Sequence, residues 1–344
     1  MASIATTVSS KKMYEFDIIK KYFSPLSTGF SGALSLCDDA AVFAPPAGHE
    51  LVITKDAISE GVHFIGSESA DLIAGKALRV NLSDLAAMGA APICYFLALI
   101  LPKNTPEKWV QKFAEGLRET QNEFGISLAG GDTISTLGTL SISITAIGSV
   151  EASSALRRNG AKIGDDIYVS GTLGDAALGL KSLTNNQQPT TNNHLINRYL
   201  TPEPRLSLGQ NLRGIANACM DISDGLVQDL GHICQASKVG AVIYADKIPL
   251  SEAAILFCHP RVGGDINNSQ KDSRLRGNDN TDILETALSG GDDYELLFTA
   301  PPEKAHLIPK NCTKIGQIIA GTNMQIIGKN GEGIHLGKKG FSHF

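Results

Sequence analysis

Several aspartates in this chain stand where an ionised side chain is expensive. Asp56 ends the strand-like run LVITKD, Asp132 ends SLAGGD, and Asp84 lies inside the apolar stretch NLSDLAAMG. Asp221 and Asp224 flank Ser223 directly after ANACM, and Asp38 and Asp39 follow Leu34, Leu36 and Cys37. Carboxylates beside a core must be paired or bound to metal. The chain has 30 basic residues, few of them near these motifs. A carboxylate set with no His/Cys cluster points to a hard cation, Mg²⁺ before zinc. Helix capping explains any one of these aspartates equally well, but it does not explain the whole set. The chain carries no G-x-x-x-x-G-K-[ST] loop and neither the H-R-D nor the D-F-G kinase motif. A phosphate-handling protein lacking those parts must neutralise charge chiefly with metals.

The elements that position these acids can be read next. With 344 residues, 42% hydrophobic and 19% charged, the chain is expected to fold as two domains. Its net charge of −5 argues against a nucleic-acid partner, but not against phosphate ligands, since bound cations reverse the sign locally. Six scattered cysteines without a C-x-x-C pair read as free thiols of a reducing compartment. The N-terminus has no signal-peptide apolar core and no run is long enough to span a bilayer, so a cytoplasmic location without membrane partners is expected.

Residues 1–12 read as a flexible N-terminus, followed by a short helix with Phe16, Ile19 and Phe23 on one face. Residues 27–36 are rich in Gly and Ser and read as a mobile loop. Strands are expected at 51–56, 93–101, 126–132 and 139–150. A long helix over 71–89 has Ala74, Leu78, Leu82, Leu85 and Gly89 along its apolar face. A second runs from Thr105 to about Phe124, with Thr105 as cap and Pro106 at the first helical position. The polar segment 151–166 marks the boundary between domains 13–150 and 151–344. The second half restarts with a strand at IYVSG, helices from Asp175, near 204–218 and from Leu226, strands near 241–245 and 294–299, and a C-terminal pair of strands. Alternating strands and helices predict an α/β (α+β) class. The polar stretches 185–194 and 259–282 belong to no core, and the second reads as a disordered insert.

NLSDLAAMGA (81–90), AGGDT (129–133), DISDGL (221–226) and SGGDDYEL (289–296), in this order and spacing, resemble the thiamine-monophosphate kinase family. That family shares a superfamily with aminoimidazole ribonucleotide synthetase. EGVHF (60–64) and KGFSHF (339–344) favour the kinase branch. The resemblance covers the chain from about Glu15, apart from the insert. It implies a two-domain aminoimidazole ribonucleotide synthetase-like fold, an N-terminal domain that pairs across a homodimer, and a site between domains. It implies ATP and thiamine monophosphate as ligands, thiamine diphosphate as product, and several Mg²⁺ ions. By motif, Asp39, Thr54, Lys55 (through its backbone), Asp56, Asp84, Asp132, Asp221 and Asp224 would hold metal. Gly131, Asp132, Arg158 and Ser223 would contact ATP, and His63, Asp292 and Phe341 the thiamine phosphate. Two positions depart from the family pattern: Cys37 replaces the usual Gly, and Lys55 a small hydroxyl residue.

The acceptor is itself a phosphate, largely a dianion at neutral pH. It needs no general base, and no residue is assigned as catalytic acid or base. The difficulty is the repulsion between acceptor and triphosphate, which bridging metals would remove, allowing direct in-line transfer. From residue type alone His63 could equally be a structural histidine, Arg158 a solvated linker residue, and Phe341 a core plug. The loop SGTLGD (170–175) could cradle phosphate or be a plain tight turn. Two other readings compete: another ATP-using member of the superfamily, and a catalytically silent thiamine-phosphate binder, to which Cys37 and Lys55 give support.

Overall fold

The computed structural model describes residues 15–184, 193–258, 279–337 and 340–341. The N-terminal segment 1–12 and most of the polar stretches 185–194 and 259–282 lie outside the described residues. Helices resume at Asn193 and Asp279, so the ends of both stretches are helical. The strands are β1 (His49–Ser59), β2 (Ala91–Pro102), β3 (Ser127–Thr136), β4 (Ser141–Glu151), β5 (Asp166–Ser170), β6 (Ala218–Asp221), β7 (Gly240–Tyr244), β8 (Leu296–Ala300), β9 (Cys312–Ile319) and β10 (Met324–Ile327). The helices are α1 (Glu15–Ile18), α2 (Ala70–Ala87), α3 (Glu107–Phe124), α4 (Asp175–Thr184), α5 (Asn193–Leu200), α6 (Leu206–Asn211), α7 (Leu226–Ser237), α8 (Glu252–Cys258) and α9 (Asp279–Ser289).

One sheet has the strand order β1-β4-β2-β3, the other β10-β7-β9-β5-β8-β6, which makes the fold mixed α/β. The chain divides into two compact units. The first holds residues up to Phe43 with Ala57–Gly75 and Cys94–Ile144; the second holds Ala44–Asp56, Lys76–Ile93 and everything from Thr145. Thr54, Asp56 and Asp84 thus belong to the same unit as Asp221, although the first unit's longest segment separates them from it in the chain.

In the first unit, β2 and β3 pair in parallel, with α3 as the long crossover that parallel strands need. The register shifts between Tyr95 and Phe96, which leaves Ala129 as an extra residue just before Gly130-Gly131-Asp132. Bulges of this kind re-aim the strand that follows. Helix α3 buries Val110, Phe113, Ala114 and Leu117, and Gly125 stops it with a left-handed φ of 66°. The helix begins one residue later than the sequence suggests. Pro106 is extended (ψ 146°) and takes the cap position, and the Thr105 hydroxyl turns back to the Pro102 carbonyl at 2.8 Å. Near the N-terminus Ile18, Tyr22 and Phe23 are buried while Phe16 is 81% exposed, because α1 gives way to a wider π-helical turn at Ile19–Phe23 that shifts the apolar face.

In the second unit the six-stranded sheet packs Ile167, Val169, Met220 and Leu297 against Leu226, Leu230 and Ile233 of α7. The two C-terminal strands do not pair with each other: β7 lies between them, antiparallel to β9 and parallel to β10. The expected helix near 204–218 is confined to α6, and a run of turns leads from it to β6. Among the described residues no helix is long and apolar enough to cross a membrane.

Candidate active site

Helix α2 is the centre of the acid cluster. Its apolar side sinks Leu78, Leu82 and Leu85, all fully buried. Asn81, Ser83 and Asp84 occupy a single turn and reach two different strands. On β1, the Asp56 amide donates to Asn81 Oδ1 at 3.1 Å, and the Thr54 hydroxyl donates a short hydrogen bond to Asp84. At the end of β6, the Ser83 hydroxyl donates to Asp221 Oδ2 at 2.7 Å. Strand alternation puts Thr54 and Asp56 on one face of β1. The Lys55 side chain therefore leaves on the other face, with Nζ 3.5 Å from Thr145 Oγ1.

Burial and like charge act together on these acids. Burial first, and then Asp84, push the Asp56 carboxyl up to about 6. Asp221 is pushed to about 8 by burial, then Asp84, with Asp229 and Asp56 adding to the effect and the Ser83 hydroxyl opposing it. Asp84 is itself raised, chiefly by desolvation, against the opposing Thr54 hydrogen bond and the Arg158 charge. Asp84 thus holds back the ionisation of both Asp56 and Asp221, which leaves the site short of cations. Together with the Thr54 hydroxyl these side chains offer oxygen donors only, which suit Mg²⁺ and give zinc neither nitrogen nor sulfur. A cavity of about 530 Å³ opens onto Thr54, Asp84, Arg158 and Asp221.

The DISDG and GGDDYE motifs lie side by side. The Asp292 amide donates to the Ser223 carbonyl (2.9 Å), and the Tyr294 amide to the Ile222 carbonyl (2.8 Å). A Cβ on Gly291 would stand 2.5 Å from the Ser223 oxygen, so only glycine permits this approach. Asp292 and Tyr294 both have left-handed φ values, 66° and 51°. Such conformations persist where the surroundings over-determine them. Here Asp293 accepts the Gly174 amide, and Glu295, fully buried, accepts Arg198 at 2.8 Å and a two-pronged contact from Arg205 at 2.6 and 2.8 Å. Asp292 meets the buried Lys76 at 2.9 Å, and that ammonium also lies 3.7 Å from the Tyr199 ring centre.

In the loop SGTLGD, the amides of Gly171, Leu173 and Gly174 are committed to Asn311, Pro249 and Asp293, so it serves as a turn. Asp224 accepts from Gln228 Nε2 at 2.9 Å, and its backbone carbonyl accepts the Phe341 amide at 3.0 Å.

The first unit holds the other expected residues. Asp39, Gly131 and Asp132 line a cavity of about 450 Å³ with Asp38, Phe96 and Leu97. A Cβ at Gly131 would lie 2.0 Å from the Leu97 carbonyl oxygen. The chain enters this region through three successive left-handed residues, Leu34, Ser35 and Leu36 (φ 51–57°). His63 Nδ1 accepts the Ser59 amide at 3.2 Å, which leaves the neutral ring its proton on Nε2.

Sequence reasoning missed Asn81, Ser83, Lys76, Asp229 and Gln228. Lys76 carried a signal, a lysine inside the apolar helix ADLIAGKALRVNLSDLAA, and so did Asp229, an acid in a first helical turn. Gln228 carried none.

The family described as AIR synthase related protein matches the chain over residues 37–150 for its N-terminal domain and 162–329 for its C-terminal domain. The thiamine-monophosphate kinase of Haemophilus influenzae is 41% identical over 316 residues, 89% of each chain. The crystal structure of thiamine-monophosphate kinase from Stenotrophomonas maltophilia is similar at a TM-score of 0.75 with 38% identity, covering 91% of this chain and 98% of that one. A solved complex of AaThiL with AMPPCP and TMP is similar at a TM-score of 0.75 with 30% identity, covering 99% of this chain and all of that one.

Proposed function

The chain belongs to the thiamine-monophosphate kinases of the AIR synthase related family, and from that premise we propose how its residues divide the work. The reaction is ATP-dependent phosphorylation of thiamine monophosphate, giving ADP and thiamine diphosphate. The observation that carries the reading is that one turn of α2 ties β1 to β6, with Thr54 on Asp84, the Asp56 amide on Asn81 and Ser83 on Asp221, while Asp84 raises the proton affinity of both Asp56 and Asp221.

In this reading Thr54, Asp56, Asp84, Asp221 and Asp224, with the Lys55 backbone, hold Mg²⁺, and Asp39 and Asp132 are further metal ligands. Bound Mg²⁺ supplies positive charge that offsets the repulsion between acceptor phosphate and triphosphate. The departure at Lys55 leaves the cluster intact, because that side chain lies on the opposite face of β1 from Asp56, which weakens the case for a silent binder. Arg158, beside Asp84 in the same cavity, offers the nucleotide a fixed cation. Gly131 and Ser223 offer close backbone approach. Asp292, held in a strained turn, and Phe341, hydrogen-bonded to the acid loop, face the thiamine moiety, and His63, whose Nδ1 accepts the Ser59 amide, is a further contact to the acceptor.

A phosphate oxygen of the acceptor attacks the γ-phosphorus as the bond to ADP breaks, and since that oxygen is already anionic no side chain removes a proton. The protein acts as a homodimer in this reading; β1, an edge strand, leaves Leu51 and Ile53 37% and 63% exposed.

Incubation with ATP, Mg²⁺ and thiamine monophosphate should yield thiamine diphosphate and ADP in equal amounts. Absence of the diphosphate at saturating substrate would overturn the assignment, and a trapped phospho-protein would overturn direct transfer.

A further inference from the structure

The first turn of α7 touches two segments. Asp229 Oδ2 accepts the amides of Ser223, Asp224 and Gly225 at 3.1, 3.2 and 3.1 Å, so one buried carboxylate oxygen fixes the backbone that displays Asp224. Its neighbour Gln228 reaches outward. Gln228 Nε2 lies 2.9 Å from Asp224 Oδ2 and 3.0 Å from the Phe341 carbonyl oxygen. Both partners are pure acceptors, so the amide orientation is compelled, and each hydrogen of the NH₂ group has one partner. The Phe341 amide returns the contact by donating to the Asp224 carbonyl at 3.0 Å. Gly340 completes the docking: a Cβ there would stand 2.9 Å from the Asp224 carbonyl oxygen and 2.6 Å from Gln228 Oε1. The acid loop and Gly340–Phe341 are joined by the Gln228 amide, by the Phe341 backbone bond and by an approach only glycine allows.

We propose that Gln228 is a positioning residue for the phosphoryl acceptor, clamping the C-terminal segment to the acid loop so that Phe341 and Asp224 are held in fixed relation. The inference rests on the reading of Phe341 as an acceptor-facing residue. The bland alternative is a surface hydrogen bond on a helix that the rest of the protein ignores.

Gln228→Met keeps the side-chain length and removes both donors. Hydrogen exchange of the peptide containing Phe341, which needs no turnover, should accelerate by about tenfold, the scale expected when one or two modest hydrogen bonds are lost. The KM for thiamine monophosphate should rise by about five- to tenfold, with the KM for ATP within about twofold and thermal stability unchanged. In a Phe341→Ala background the same substitution should add nothing further to that KM. Gly340→Ala, which opens the clamp from the other side, should reproduce both the faster exchange and the raised acceptor KM. Unchanged exchange in Gln228→Met overturns the clamp. Faster exchange with an unaltered acceptor KM, or full additivity with Phe341→Ala, overturns the positioning role. A wild-type protein that makes no thiamine diphosphate sinks the functional reading and the positioning role with it, while the exchange rates still decide whether the clamp exists.

Discussion

Asp84 links the members of the acid cluster: it accepts from Thr54, raises Asp56 and Asp221, and feels the charge of Arg158. Asp84→Asn removes one carboxylate and leaves the shape almost unchanged. Turnover should fall by about 10²–10³, the scale seen when one electrostatic contributor to a transition state is lost. The metal-free variant should fold normally and melt no lower than wild type, since a like charge has gone. Retained kcat by steady-state assay would count against the metal role. The same acids set a pH dependence. An acid held above its ordinary value keeps its proton more tightly folded than unfolded, so its contribution to stability is full below about 4 and is lost as pH rises through the folded values. Those values are about 6 for Asp56 and about 8 for Asp221. The melting temperature of the metal-free protein should therefore decline between pH 4 and 8 on account of these groups, and Mg²⁺ should restore it most at pH 8. A Mg²⁺ effect equal at pH 5 and pH 8 would contradict this.

At the scale of elements, the legible parts were those written in local pattern. The apolar face of α2 was plain in the spacing of Ala74, Leu78, Leu82 and Leu85, and the start of α7 at Leu226 follows Gly225. Local pattern failed where backbone geometry or partner choice decided. Pro106 is extended rather than helical, a π turn rotates the face that Phe16 was expected to share, and β7 separates the two C-terminal strands. The bulge at Ala129 belongs to the same class, since an extra residue in one strand is visible only beside its partner. It sets up the tight contact at Gly131. Gly131→Ala would drive a Cβ into the Leu97 carbonyl, so we expect a loss of about 1–3 kcal/mol in chemical denaturation, as overpacking typically costs. An unchanged midpoint would show that β2 and β3 can separate freely there.

For the whole molecule, the sequence showed which residues could do chemistry and left open which of them meet. Asp56, Asp84 and Asp221 could be singled out as acids beside apolar runs. Their convergence depends on Ala44–Asp56 and Lys76–Ile93 joining the unit that begins at Thr145, a long-range arrangement that no local spacing encodes. Other contacts of these motifs, Lys76 with Asp292 and Gln228 with Phe341, likewise join residues far apart in the chain.

The central claim is that these carboxylates gather in space to take up cations. If so, acids that hold protons near neutrality must release them when metal arrives. The decisive measurement is calorimetric titration of Mg²⁺ into the protein at pH 7, repeated in buffers of different ionisation enthalpy. Net proton release should accompany binding, with both the release and the affinity sharply reduced in Asp221→Asn. Metal binding without proton release, and unchanged by Asp221→Asn, would contradict it.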